Sequence, residues 1–470
     1  MRKAGENKLR RALLVLILFS ANALQAQQTT PSPDPPGERA KLKESCFSFT
    51  FSGLGGCAEE LFTGVPFHIA VGSIAPQDGF GGGVAYVGHH TTTSWRNTWN
   101  ADAIATGNGS WRAGFYMKFV HTPNEAVGVS FGPPPPVEEN LMGLTEHTVF
   151  GLYAQAISLN KVTFLGLGPD TTEAGRTFFG MTETIVGGNV VKPFSGQLNA
   201  SLLGEMNGRF VSIRESNGQN SPSISQVYDE ATAPGLTTQA GTFQLGEGIR
   251  IRPVFDKDLV RLNYSAVYQQ YFATDNFTFQ RLTIDLGHQY ALHSKTRINE
   301  PRLNNGPDAC AIDPVSHPEC PKPYVRNFEG SIGFRFFTAL SMTPGGNVVP
   351  FYFQPTLGGS DINGNSSLSS YQDYRFRAPD VMLLRESFEH SIWNLPIGFT
   401  LMADEGKVAM TRGGLGSSPW IHSFSTGLTL RAGGFPQVYL LFSWGGNEGT
   451  HTIANVNTSL LGGTSRPSLF

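Results

Sequence analysis

The chain has 470 residues, of which 40% are hydrophobic and only 15% charged, with 55 glycines, 34 phenylalanines and a formal net charge of −3. The near-neutral balance gives no reason to propose a nucleic-acid partner. Low charge with abundant glycine and aromatics fits a large β-protein whose outer surface is not in water.

Residues 1–28 read as a signal peptide. Arg2, Lys3, Lys8, Arg10 and Arg11 form a basic start, Ala12 to Phe19 a short apolar core, and Ala23 or Ala26 a cleavage point among small residues. The apolar run falls below the ~17 residues a bilayer span needs, which argues against a membrane anchor. Residues 29–65 begin with a Pro-rich, charged linker and continue into CFSFTFSGLGGC, a candidate disulfide-closed element between Cys46 and Cys57. In an exported chain, Cys46, Cys57, Cys310 and Cys320 favour two local disulfides, although four cysteines allow three pairings. No C-x-x-C or H-E-x-x-H spacing appears, so no metal site or cofactor is expected.

From about Pro66 to the end the sequence alternates with a period of two. Ala113, Phe115, Met117 and Phe119 oppose Gly114, Tyr116 and Lys118; Leu282, Ile284 and Leu286 oppose Arg281, Thr283 and Asp285. Beyond the signal peptide no apolar run reaches the ~18 residues of a helical span, which leaves strands as the way to cross a membrane. Apolar residues on one face with charge and amide on the other predict an all-β fold over residues 66–470: a transmembrane antiparallel β-barrel facing lipid outside and water inside. A soluble β-sandwich also alternates; the length, the charges on inner faces and the aromatics near strand ends favour the barrel. At about 9–11 residues per strand, the sequence allows about 14 to 18 strands. Candidate long loops are 122–144, 215–237, 295–322 and 358–370. His89, His90 and Thr91 to Thr93 are expected in a surface loop after an alternating strand. No G-x-S-x-G elbow is present, and no enzyme is expected.

The stretch 354–377 reads QPTLGGSDINGNSSLSSYQDYRFR, between the strand-like runs Val348 to Phe353 and Val381 to Leu384. A loop that ends in two Tyr, a Phe and two Arg is built to pack and to pair charge inside something. Ala403-Asp404-Glu405-Gly406-Lys407-Val408 follows as an acidic partner at a strand end. The last strand is expected over 451–463. It is poor in large apolar residues and ends, after an interruption, in Phe470.

These segments resemble the BamA/TamA superfamily of outer-membrane assembly barrels. Its Gly-rich first hairpin resembles Ala75 to Tyr86. Its F-x-G-x-G-P-D signature resembles Phe164-Leu165-Gly166-Leu167-Gly168-Pro169-Asp170. In that family a long extracellular loop folds into the lumen, and its tip motif contacts an acidic F-x-D-x-G strand. The resemblance implies 16 strands and a lumen-loop motif of Leu368, Tyr371, Tyr374, Arg375, Phe376 and Arg377. The acidic strand partner would be Asp404, Glu405 and Gly406. Ser369 and Ser370 stand where the family has Arg and Gly, so Arg375 or Arg377 is expected to supply the cation for Asp404. It also implies a C-terminal assembly signal at Phe470 and a bacterial outer-membrane location. The implied partners are outer-membrane lipid, the barrel assembly machinery and a protein or lipid client. The short linker implies a barrel-only member without POTRA modules. The function implied is insertion or translocation of protein or lipid without nucleotide; the alternative is a passive pore or structural barrel.

Overall fold

A computed structural model describes residues 67–121, 128–131, 147–195, 198–216, 221–253, 255, 259–297, 324–392, 397–432, 435–446, 448 and 450–456. All belong to the second of the chain's two compact units, Leu61–Phe470. The signal peptide, the linker, the four cysteines and Phe470 lie outside the described residues.

The strands are β1 (Phe67–Ser73), β2 (Phe80–Thr91), β3 (Trp95–Thr106), β4 (Trp111–His121), β5 (Gly128–Phe131), β6 (Val149–Phe164), β7 (Thr177–Ser195) and β8 (Ala200–Glu215). They continue with β9 (Thr242–Ile251), β10 (Val260–Phe272), β11 (Phe279–Arg297) and β12 (Tyr324–Met342). Four two-residue strands follow: β13 (Thr356–Leu357), β14 (Gly359–Ser360), β15 (Ser366–Ser367) and β16 (Phe376–Arg377). The last are β17 (Asp380–Ser391), β18 (Ile397–Ala409), β19 (Ile421–Ala432), β20 (Phe435–Trp444) and β21 (His451–Val456). Seventeen strands form one antiparallel sheet. Setting β5 aside, sixteen of them pair in chain order from β1 to β21. β5 shares an edge of β2 with β1: β1 covers Phe80 to Tyr86 and β5 covers Gly88 to Thr91. Part of the expected loop 122–144 is therefore a strand, and His89 to Thr91 belong to β2 rather than to a surface loop. Among the described residues no pairing joins β1 to β21.

The two faces differ as the alternation predicts. Phe115, Leu152, Phe210, Leu428 and Leu440 point outward and are exposed, while Arg112, Arg209, Arg281, Asp404 and Thr429 are buried on the inner face. Inner charges pair between strands: Arg112–Asp102 at 3.8 Å, Arg209–Glu183 at 3.2 Å and Arg335–Asp285 at 2.9 Å. An apolar outside and an ion-paired inside suit a wall between lipid and water.

In an antiparallel meander every second connection lies at the same end. The connections 74–79, 107–110, 165–176, 216–241, 273–278, 343–379, 410–420 and 445–450 therefore share one end. The longest of these, 343–379, folds inward. It touches residues from β6, β7, β11, β18 and β19, and from the connections beside β1 and β21. A single segment can meet walls that far apart in pairing order only if the sheet curls around it, so the sheet is a β-barrel with this loop in its lumen. The run Val348 to Phe353 is not a strand. Phe351–Phe353 form one 3-10 turn buried on all sides, so no face of the run is polar and no period of two develops.

Candidate functional site: the lumenal loop

The loop is rooted in an aromatic core. Phe351 meets Phe164 and Phe179 edge-on, with centroids 5.2 and 5.1 Å away. Its N–H donates to Pro234 O at 2.8 Å, and the connection 216–241 adds Ile224, Ala233 and Leu236 to the same cluster. Phe353 lies beside Tyr271 and Phe279, which stack on each other at 4.2 Å. The Arg281 guanidinium sits 5.5 and 5.3 Å from those two rings and donates to Phe353 O at 2.5 Å. Tyrosine and arginine are stable here because ring faces and a carbonyl replace the water they lose. Arg377 Nη1 donates to Phe351 O at 2.9 Å and so ties the loop's end to its beginning. Burial pulls the Arg377 pKa down to about 10, still charged at neutral pH.

Two small ladders shape the loop body: β13 pairs with β16, and β14 with β15. Beyond them Leu368 is fully buried with a left-handed φ of 45°. Non-glycine residues rarely adopt that conformation, and here the surroundings impose it. The Leu368 N–H donates to Asp404 Oδ2 at 2.7 Å. Asp404 also receives Arg385 Nε at 2.6 Å and Arg385 Nη2 at 2.8 Å, and the same Nη2 reaches Ser366 O at 2.7 Å. Two wall residues thus grip a loop N–H and a loop C=O. Ser370 N–H adds a bond to Ser423 Oγ at 2.8 Å. Gly406 makes room for this docking: a Cβ there would come within 2.9 Å of Leu368 Cδ1 and 3.1 Å of Leu357 Cδ1.

The structure brings Leu368, Tyr371, Phe376, Asp404 and Gly406 together, with Tyr371 and Phe376 edge-on at 5.1 Å. Two expectations are corrected. The cation on Asp404 is Arg385 of β17, not Arg375 or Arg377 of the loop. Arg375 instead pairs with Glu448, donates to Thr171 Oγ1 at 2.7 Å and to Thr171 O at 2.6 Å, and lies 4.4 Å from the Phe376 ring. Glu405 does not face the loop. Alternation turns it outward, half exposed, with His422 at 3.3 Å. Tyr374 (φ 61°) is buried and donates to Pro76 O at 3.1 Å. Sequence reasoning missed Arg385, Glu448, Thr171 and the aromatic root. Arg385 carried a usable signal, because β17 and β18 are neighbours and inward parity places it opposite Asp404.

No family profile matches the sequence, and no curated protein does. Among solved structures the chain is similar to CdiB from Acinetobacter baumannii, at 11% identity and a TM-score of 0.43, over 82% of this chain and 58% of that one. It is also similar to BamA from Haemophilus ducreyi lacking POTRA domains 1-3, at 9% identity and a TM-score of 0.40, over 88% of this chain and 80% of that one. The chain thus spans little more than half the length of CdiB. Its own geometry defines the class: a sixteen-stranded antiparallel meander curled around a lumenal loop that is held on a wall Asp–Arg pair.

Proposed function

We propose that the protein is an outer-membrane barrel that assists insertion or translocation of protein or lipid, without nucleotide and without covalent chemistry on its client. The observation that carries this reading is the docked loop. It fills one end of the lumen with a packed aromatic core and is fastened by a few releasable polar contacts, Leu368 to Asp404 and Ser366 to Arg385. A lumen filled in this way suits a gated element better than a free-running pore. The outward band of exposed Phe and Leu supports a lipid surround. Residues 1–28 direct export, the end bearing the loop faces the cell exterior, and Phe470 serves assembly of the barrel itself. The strands β1 and β21 stand at the two edges of the described sheet, and the seam of the barrel lies between them.

A passive barrel is the second reading. Ser369 and Ser370, at the place of the family's Arg-Gly, support it. The deciding experiment is folding of a small urea-denatured outer-membrane barrel into phosphatidylcholine vesicles, with and without this protein reconstituted. Faster client folding in its presence is the expected result. No acceleration, together with a large steady conductance in planar bilayers, would move the assignment to the passive barrel.

A further inference from the structure

The segment Tyr371 to Arg375 contacts the hairpins at both edges of the sheet. On the first edge, Tyr374 Oη donates to Pro76 O at 3.1 Å, in the β1–β2 turn. On the last edge, Arg375 pairs with Glu448 in the β20–β21 connection, both side chains being nearly buried, 4% and 10% exposed. In that connection Gly446 (φ 70°) lies so close under the Tyr371 hydroxyl that any Cβ would collide with it. Arg375 is further fixed by Thr171, and Gln372 accepts from Arg176, both from the 165–176 connection. The β1–β2 turn is itself firmly held. Asp78 accepts from Asn108 Nδ2 at 3.1 Å and from Ser110 Oγ, and Gln77 accepts from Thr163 Oγ1 at 2.6 Å. A pull on either edge hairpin therefore reaches the other through five loop residues.

We propose that Tyr371, Tyr374 and Arg375 form a clasp that ties the first and last hairpins of the barrel to each other across the seam. The lumenal loop then has two separable jobs. Its contact with Asp404 and Arg385 keeps it in the lumen, and its clasp keeps the sheet edges together. Each edge strand has one described partner strand, β2 for β1 and β20 for β21, so the clasp adds a tertiary tie between the two edges of the described sheet. The charged bond of Arg375 to Glu448 is the stronger half, because both ions are paired and largely out of water. The inference rests on reading the barrel as one that opens at its seam. Its test does not depend on client activity.

The test is hydrogen–deuterium exchange on the full chain in lipid nanodiscs, comparing wild type with Glu448→Gln and Tyr374→Phe. Each change removes one side of the clasp. The expected result is a rise of about tenfold or more in exchange of β1 and of β21 in both variants, from loss of a charged or buried hydrogen bond. Peptides of β10 and β11 should be unchanged. The coupling is decisive: if Glu448→Gln speeds only β20–β21 and Tyr374→Phe only β1–β2, the contacts are local and the clasp is overturned. Unchanged edges in both variants overturn it as well. Should Glu448→Gln loosen every strand at once, Tyr374→Phe alone decides, by whether β21 responds to a change made on the other edge. Client folding measured on the same variants reports on the proposed function separately.

Discussion

Arg385 and Asp404 are register partners on β17 and β18 and close a two-point ion pair at 2.6 and 2.8 Å on the inner wall. The pair's remaining bonding capacity goes to loop backbone: Asp404 takes Leu368 N–H, and Arg385 gives to Ser366 O. Recognition of a backbone N–H and C=O does not read side chains. The loop can therefore carry Ser369 and Ser370, both fully buried, without losing its anchor. Asp404→Ala leaves Arg385 without its anion in a largely buried place, at a cost of about 3–5 kcal/mol. In planar bilayers the wild type should give small, flickering currents, and Asp404→Ala large, steady ones. Identical traces would show that the pair does not hold the loop.

The corrected partner of Asp404 changes how substitutions combine. Arg375 and Asp404 share no bonding partner, since one meets Glu448 and Thr171 and the other Arg385 and Leu368. Arg375→Ala and Asp404→Ala should thus come close to adding in urea-unfolding free energy, any shortfall being the part of the Arg375 contacts that undocking of the loop already removes. Arg385→Ala and Asp404→Ala should not, because either one removes the same ion pair. A strong Arg375–Asp404 coupling in the double-mutant cycle would restore the pairing expected from sequence.

Two neighbours in β18 should behave in opposite ways. Gly406→Val places atoms against Leu368, a fully buried side chain with nowhere to move, and should undock the loop. Glu405→Gln changes a half-exposed outward side chain beside His422 and should leave conductance as in wild type. The same bilayer recordings check both, and a large Glu405→Gln effect would return Glu405 to the lumen contact.

What could be read from sequence divides along physical lines. β4 and β11 were legible because one face of each meets an apolar exterior and the other an ion-paired lumen, which imposes period two. Phe351–Phe353 were misread as strand because burial on every side erases that period. Asp404 and Gly406 were found by local motif. Arg385 is legible only through strand parity across the β17–β18 hairpin, because it lies outside the loop whose arginines stand nearest the motif in sequence. Thr171 and Glu448 come from connections roughly 200 and 70 residues away from Arg375. Only the curl of the sheet brings them to one guanidinium.

The aromatic root should dominate stability. Phe353→Ala removes a buried ring from between Tyr271, Phe279 and the Arg209 guanidinium, and should cost about 3–5 kcal/mol. Phe115→Ala, on the outward face and 46% exposed, should cost far less. Urea midpoints of the reconstituted protein compare the two. Equal losses would mean that the lumenal core adds nothing beyond an ordinary wall contact.

Loop docking should also respond to pH through Asp373. Burial raises the Asp373 pKa above its ordinary 3.8, outweighing the Ser360 N–H at 2.8 Å and the nearby Gln77 and His451, which lower it. The docked loop thus holds a proton that the undocked loop releases more readily. Docking tightens as pH falls from neutral through the docked pKa toward 3.8, and gains nothing further below 3.8, where both states are protonated. Openings should become rarer as pH falls through the docked pKa toward 3.8. Asp373→Asn, which cannot ionise, should be quiet at neutral pH and flat across the range. If Asp373→Asn keeps the wild-type slope, the titrating group lies elsewhere.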